Sequence, residues 1–382
     1  MNARLPALRF AWFVTPHGFG HAARSAAVIE ALGEEMPEAE VDLWTSVPLW
    51  FFEESITVPF GYRPLRCDVG LVQKNPIEED VEASLQALAD FWKSADGQGP
   101  ESIAAISAQV VASGAGAVVC DIAPFGLEVA RRAGLPAVLI ENFTWDWIYA
   151  ALAPAEPRFL PWARELARRG MPRKARTLHL QLEPVCRAAS GAIPLPLVAR
   201  SPRLSRSEVA SRLGIEASQA IVLVSFGGVA HRLTSSARFG EIPDATFVLL
   251  GASEEERWEA NVRRLPHHSP IYHPDLVAAA DVVVGKLGYS TVAEAVTAGA
   301  RLMFVPRPGF AESEVLERYV ETRVPVARIS LAELESGAWV ERLPALLAHE
   351  RLQAQFPPPT AGGRCGARVA ADRIIRWWKN LS

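Results

Sequence analysis

Cysteine is scarce in this chain of 382 residues. Cys67, Cys120, Cys186 and Cys365 lie far apart, and neither a C-x-x-C pair nor a Cys/His spacing suited to zinc occurs. That excludes a disulfide scaffold and a zinc module, and it fits a reducing, cytoplasmic setting. A basic field is missing too. Thirty-nine Lys and Arg stand against 43 Asp and Glu, a net charge of −4, so general nucleic-acid binding is not expected. No apolar run reaches the roughly 18 residues of a membrane-spanning helix, and the first residues lack a signal-peptide pattern. The expected location is the cytoplasm, with peripheral contact at the inner face of a membrane as the alternative. Trp50-Phe51-Phe52 and Ile374-Ile375-Arg376-Trp377-Trp378-Lys379 would make that contact, although core or interdomain packing is the simpler use of both runs. No D-x-D pair, no G-x-S-x-G elbow and no G-x-x-x-x-G-K-[ST] loop is present, so a metal held by the first and the chemistries of the other two are not expected.

What the chain does have is apolar residues, 49% of the total, in a length that allows two cores. Strands are predicted at 8–15, 41–45, 117–121 and 136–140, with helices over 22–36, 80–113 (one or two) and 125–133. A proline-spaced connector follows at 192–197 and 201–202. Alternation then restarts, with strands at 221–226, 246–250, 281–284, 301–305 and 325–329. Strands alternating with helices argue for parallel sheets covered on both faces, and the first strand of each half ends in a glycine turn. The predicted fold class is α/β, two doubly wound Rossmann-like domains facing an interdomain cleft. The expected boundaries are 1–197, 198–362 and a last segment, 363–382, whose helix crosses back onto the first domain. Ligands of such sheets sit beyond the carboxyl ends of the strands, which puts His17, His21, Asp121, Glu141, Asn142, Gly227, Gly228, Lys286 and Tyr289 at the cleft.

The first strand leaves through Pro16-His17-Gly18-Phe19-Gly20-His21-Ala22-Ala23-Arg24. A buried strand opening through glycines into a helix exposes backbone N–H groups that can hold an oxyanion or meet a substrate. Gly18-Phe19-Gly20-His21-Ala22-Ala23 formally matches the dinucleotide fingerprint G-x-G-x-x-A. That fingerprint also needs an acid ending the second strand, and here the strand ends in Thr45-Ser46 with Asp42 too early, which weakens a nicotinamide dehydrogenase reading. His21 at a helix start is kept neutral by the positive helix end and suits a general base; a structural cap is the alternative. Asp121 either orients that imidazole or caps the helix beginning near Pro124.

In the second half, Gly285-Lys286-Leu287-Gly288-Tyr289-Ser290-Thr291-Val292-Ala293-Glu294 has the form of a diphosphate cradle, with backbone donors and hydroxyls at a helix start. Glu294 either reaches a ribose diol or forms a capping box with Thr291. Glu312 and Glu314, after Pro306-Arg307-Pro308, either accept sugar hydroxyls or are a solvated helix start. Ser225-Phe226-Gly227-Gly228 with Arg232 offers a second anion nest. In Glu141-Asn142-Phe143-Thr144-Trp145-Asp146-Trp147-Ile148-Tyr149 a Trp face can carry a sugar ring while Glu141, Asn142 and Asp146 bind hydroxyls; the alternative is an aromatic loop packed under the linker.

The architecture and the order of these motifs resemble the GT-B glycosyltransferase superfamily, especially its MurG-like (family-28 type) branch. Stretches 17–25, 141–149 and 285–294 more specifically resemble the glycosyltransferase-like domain of plant-type arabinokinases, and the resemblance spans nearly the whole chain. It implies a metal-independent transfer, without a cofactor, from a nucleotide diphosphate sugar, UDP-linked in the first instance, to a small-molecule or lipid-linked acceptor. It implies His21 as the base, with Gly18 and Gly20 in the acceptor loop beside His17, Phe19 and Arg24. Gly288, Ser290 and Thr291 would hold the diphosphate, Glu294 the ribose, and Glu312 and Glu314 the donor sugar, where the family often has Gln or Asp. The kinase half of the arabinokinases has no counterpart, since no galactokinase-type Ser-rich phosphate loop occurs. The turn Gly18-Phe19-Gly20-His21-Ala22-Ala23-Arg24 is also similar to that of nucleotide-sugar hydrolases of the PseG type, in which water replaces the acceptor. A non-catalytic nucleotide-sugar-binding protein is the third reading.

Overall fold

A computed structural model describes residues 8–75, 77–170, 176–227, 237–352 and 365–381. The first sheet is built from β1 (Arg9–Val14), β2 (Glu40–Thr45), β3 (Gly61–Pro64), β4 (Ala117–Asp121), β5 (Ala137–Glu141), β6 (Thr177–Leu182) and β7 (Ile193–Leu195). Its seven strands are all parallel, in the order β3-β2-β1-β4-β5-β6-β7. The apolar run of β1 follows from burial on both faces. Phe10, Trp12 and Val14 enter one core while Ala11 and Phe13 enter the other, the period-two division expected of a central parallel strand.

The second sheet holds β8 (Ala220–Val224), β9 (Ala245–Leu250), β10 (Arg257–Glu259), β11 (Val262–Leu265), β12 (Val282–Lys286), β13 (Arg301–Val305) and β14 (Val326–Arg328). Its order is β10-β11-β9-β8-β12-β13-β14, parallel except for the β10–β11 hairpin at one edge. Each sheet therefore reverses its strand order beside its first strand, between β1 and β4 and between β8 and β12. Those reversals are the crevices in which such sheets bind ligands.

The predicted strands that dominate both cores are present, and the 80–113 stretch forms two helices, Val81–Ala95 and Ile103–Ala112, capped by the side chains of Asp80 and Ser102. β3, β6, β7, β10 and β11 were not anticipated. The proline-spaced connector is corrected in part: Ile193–Leu195 pairs with β6 as the edge strand of the first sheet, a position that tolerates Pro194.

The two lobes interlock. Tyr289 and Ala293 of the second lobe pack into the core that includes β1. Phe310 packs edge-on against Phe143 of the first lobe, and Ile77 of the first half enters the core of the second sheet. The helix Gly366–Leu381 returns to the helix Gly20–Glu35, burying Ala370, Ala371, Ile374 and Trp378 in the first lobe. Trp378 meets Phe10 edge-on at 5.8 Å and lies flush on Gly116, where an added Cβ would stand 2.3 Å from its ring. Ile374, Ile375 and Trp378 are thus core residues. No helix among the described residues is long and apolar enough to cross a membrane.

Trp378→Ala is expected to destabilise the chain by roughly 3–5 kcal/mol, the cost of deleting a large buried ring. Urea denaturation measures it; an unchanged midpoint would show that the last helix does not hold the first lobe together.

Candidate functional site

Beyond β1 the chain turns through Gly18, whose φ of +72° suits glycine and whose Cα faces open space. The helix starts at Gly20 without a side-chain cap and without an acid in its first turn, so its leading N–H groups carry their positive field outward. Beyond β12 the helix Tyr289–Ala298 starts in the same way, with Gly288 as an uncapped N-cap and no acid in the first turn. The two starts meet: a Cβ on Gly20 would lie 3.5 Å from Ser290 Oγ and 3.9 Å from its N. Close approach by Gly20 is thus directed at the other lobe.

His21 stands at this junction. Its Nδ1 lies 2.9 Å from Asp121 Oδ1 at the end of β4. Arg24 Nε and Nη2 donate to the same carboxylate at 2.7 and 2.6 Å, and Ser25 Oγ donates at 3.0 Å. The carboxylate is fully buried. Burial alone would raise the Asp121 carboxyl, but Arg24 and His21 outweigh it and hold it below its ordinary value. Burial, and then the Arg24 charge, lower the His21 imidazole, with Asp121 pulling the other way. The ring is neutral near pH 7. With Nδ1–H given to Asp121, Nε2 is left to accept a proton. Arg24 also donates to Asn142 Oδ1, and Asn142 Nδ2 donates to Glu312 Oε1 at 2.7 Å. One polar chain therefore crosses from Asp121 to the second lobe. Burial raises the Glu312 carboxyl, opposed by Asn142, Arg307, Arg24 and Lys286.

Lys286, half-buried at the end of β12, is pulled down to about 7, first by burial and then by Arg307. His17 is held well below its ordinary value, first by burial and then by Arg307, His21 and Lys286. His17 and Trp145 meet edge-on at 5.1 Å. Both press on Gly70, where a Cβ would fall 2.7 Å from His17 Nδ1 and 2.8 Å from Trp145.

Several expected site residues are used differently. Glu294 is almost fully buried; Arg200 Nε donates to its Oε1 at 2.8 Å and His273 Nδ1 lies 2.9 Å from Oε2. Its carboxyl is depressed to about 2, with burial opposed by Arg200 and His273. The capping box with Thr291 is not formed, and the carboxylate is not free for a ribose. Tyr289 is an interlobe anchor: its hydroxyl accepts from Val198 N at 3.1 Å and donates to Glu183 O at 3.2 Å. Glu314 is exposed on the outer face of its helix, whereas Glu312 is buried. Trp145 presents no open face, because it is buried and donates its indole N–H to Asp68 Oδ2 at 2.7 Å. Asp146 is paired with Arg187 at 2.9 Å. Glu141 is buried, its Oε1 2.7 Å from both His179 Nε2 and Gln181 Nε2 of β6. Gly228 and Arg232 lie outside the described residues.

Gly227 (φ +66°), Ser225, Ser290 and Thr291 line one interlobe cavity, together with Phe19, Trp50, Phe51, Glu54, Arg200, His267, His273 and others. Phe19, expected on the acceptor side, faces this cavity. Asp68, Arg200, His273, Arg307 and Glu79, whose Oε1 accepts from Arg307 Nη2, also stand at this interlobe region and carry no local signal in the sequence. His179 and Gln181 carried a readable signal, the alternation Leu178-His179-Leu180-Gln181-Leu182.

Two such sheets with their strand ends opposed define the GT-B fold of glycosyltransferases. Solved structures bear this out: the calicheamicin glycosyltransferase CalG4 matches with a TM-score of 0.62 and 15% identity over 99% of this chain and all of that one. A UDP-glucose:anthocyanidin 3-O-glucosyltransferase in complex with UDP matches with 0.62 and 13% over 98% and 99%. In sequence, the chain is 29% identical over 373 residues to the L-arabinokinase of Arabidopsis thaliana, covering 95% of this chain and 34% of that protein. The chain thus spans about a third of the length of that curated relative. No family model matches the chain.

Asp121→Asn removes the counter-charge of a buried Arg24 and is expected to cost roughly 3–5 kcal/mol of stability. A denaturant midpoint equal to that of the unmodified chain would contradict the role of this network.

Proposed function

We propose that the chain is a glycosyltransferase that moves a sugar from a nucleotide diphosphate sugar, UDP-linked in the first instance, to the hydroxyl of a small-molecule or lipid-linked acceptor. The observation that carries this reading is the meeting of two uncapped helix starts beside a neutral His21 held by Asp121. The GT-B fold and the likeness to a UDP-bound glucosyltransferase support it. The resemblance of 285–294 to the glycosyltransferase-like domain of plant-type arabinokinases points the same way.

In the proposed step the acceptor hydroxyl gives its proton to His21 Nε2, and its oxygen bonds to the anomeric carbon. The bond from that carbon to the diphosphate oxygen breaks, and the diphosphate leaves with the electron pair. Asp121 fixes the tautomer and stabilises the imidazolium as it forms. The diphosphate is stabilised by the N–H groups at Gly288–Thr291, by the Gly227 turn and by Lys286, so that these groups supply the charge a metal would otherwise carry in this metal-independent proposal. Lys286, lowered to about 7 by burial and then by Arg307, is drawn to its charged form by the incoming diphosphate.

His21→Ala is expected to abolish product formation, by about two to four orders of magnitude for loss of a general base, while UDP still binds. Binding is read by calorimetry and turnover by product analysis with and without candidate acceptors. Because burial and Arg24 lower His21, the acid limb of kcat/KM should have its midpoint below the ordinary imidazole value of 6.5. Unchanged turnover in His21→Ala would contradict the assignment, and donor consumption without any acceptor would replace transfer by hydrolysis.

A further inference from the structure

The cavity that contains Ser225, Gly227, Ser290 and Thr291 is closed on its other side by the first lobe. Phe19 and the short helix Leu49–Ser55 supply that wall. Trp50 stacks on His268 with ring centroids 4.7 Å apart and planes 20° apart. Phe51 and Phe19 lie 4.8 Å apart. His267 rests on Gly251, where an added Cβ would fall 2.7 Å from its Nε2, so the residue that follows β9 has to be small for the ring to lie there. Leu250 and Ile271 complete an apolar, ring-lined slot.

The carboxylate open to this cavity differs from the one expected. Glu294 is locked between Arg200 and His273. His273 passes the contact on, its Nε2 3.3 Å from Ser225 Oγ, so that the buried pair orients a hydroxyl at the amide end of the cavity. Glu54, half-buried on the same cavity, accepts a bond from the His273 backbone and lies near Arg200, His268 and His273. One cavity therefore presents aromatic faces, a carboxylate acceptor and a set of N–H and O–H donors. A nucleoside diphosphate carries the three complementary parts: a flat base, a diol and an anion.

We infer that the first lobe binds the nucleoside of the donor: Trp50 and Phe19 take the base against His267, and Glu54 takes the ribose hydroxyls in place of Glu294. The inference rests on the proposed use of a nucleotide sugar. Nucleotide and interlobe contact are then one event, because the base is held between side chains of both lobes. Ser225, Glu294 and His273 are positioning residues in this scheme, and Arg200 braces them through Ser55 Oγ at 3.0 Å and Glu294.

The test is calorimetric titration of the full chain and of Trp50→Ala, Trp50→Phe and Glu54→Gln, each first shown to melt as the unmodified chain does. The probes are uridine diphosphate, its 2′,3′-dideoxy form and inorganic pyrophosphate. Trp50→Ala is expected to weaken uridine diphosphate about tenfold or more, in line with the loss of one base–aromatic stack. Trp50→Phe should restore much of that loss, and pyrophosphate should bind all variants alike. Glu54→Gln should weaken uridine diphosphate and remove its advantage over the dideoxy form. Equal affinity of all variants for uridine diphosphate would overturn the inference and leave the proposed function standing. Failure of the unmodified chain to bind uridine diphosphate or the adenosine, guanosine, cytidine and thymidine diphosphates would overturn both.

Discussion

The buried carboxylate of Asp121 is the constraint from which the rest of the site follows. A charge with no solvent exposure persists only if it is paired and hydrogen-bonded. Here Arg24, Ser25 and His21 all point at it from the first two turns of one helix. That fixes the rotation of the helix about its axis and so the direction of its N-terminus. Because Arg24 also bonds Asn142, and Asn142 bonds Glu312, the same charge sets how the second lobe meets the first. The neutrality of His21 is a by-product: a ring this close to a guanidinium, and this far from water, does not hold a proton easily.

The interlobe contact is built from side chains that a doubly wound sheet would ordinarily leave free. Tyr289 leaves its own lobe to enter the core of the other. Arg200 stacks over Phe51 and Tyr272 while pairing with Glu294. Arg307 lies over Phe310 and pairs with Glu79. Each of these joins a charge to an aromatic face at the boundary, where both desolvation and orientation matter. The cleft is thus a set of anchored points with a cavity left between them.

Much of this was legible because strand-end logic is local. The apolar run of β1, the glycine turn and the alanine-rich helix announce one another, and a doubly wound order then brings the end of β4 beside β1. That was enough to pair His21 with Asp121 across 100 positions. Other features have no local signature. Glu294 carries a capping-box spacing, and only the fold brings Arg200, 94 positions earlier, to claim it. Trp145 reads as a free platform until Asp68 takes its indole N–H. β6 hid behind His179 and Gln181, polar residues whose alternation marks the face turned to Glu141. β10, an edge strand with Arg257 and Glu259, and its neighbour β11, with Arg263 and Arg264, are short and charged, as sheet edges often are. Glu314 takes the solvated alternative, and helix geometry says why: two positions along a helix turn a side chain by about 200°, so Glu312 and Glu314 cannot face the same cleft.

The central claim is that two helix starts and one imidazole converge on a leaving diphosphate. A crystal structure of the full chain soaked with UDP tests it most directly. The account predicts the diphosphate against the amides of Gly288–Thr291 and the Gly227 turn, with His21 Nε2 open toward the β-phosphate end and Nδ1 still on Asp121. A diphosphate bound away from those amides, or one separated from His21 by an intervening wall of side chains, would contradict it.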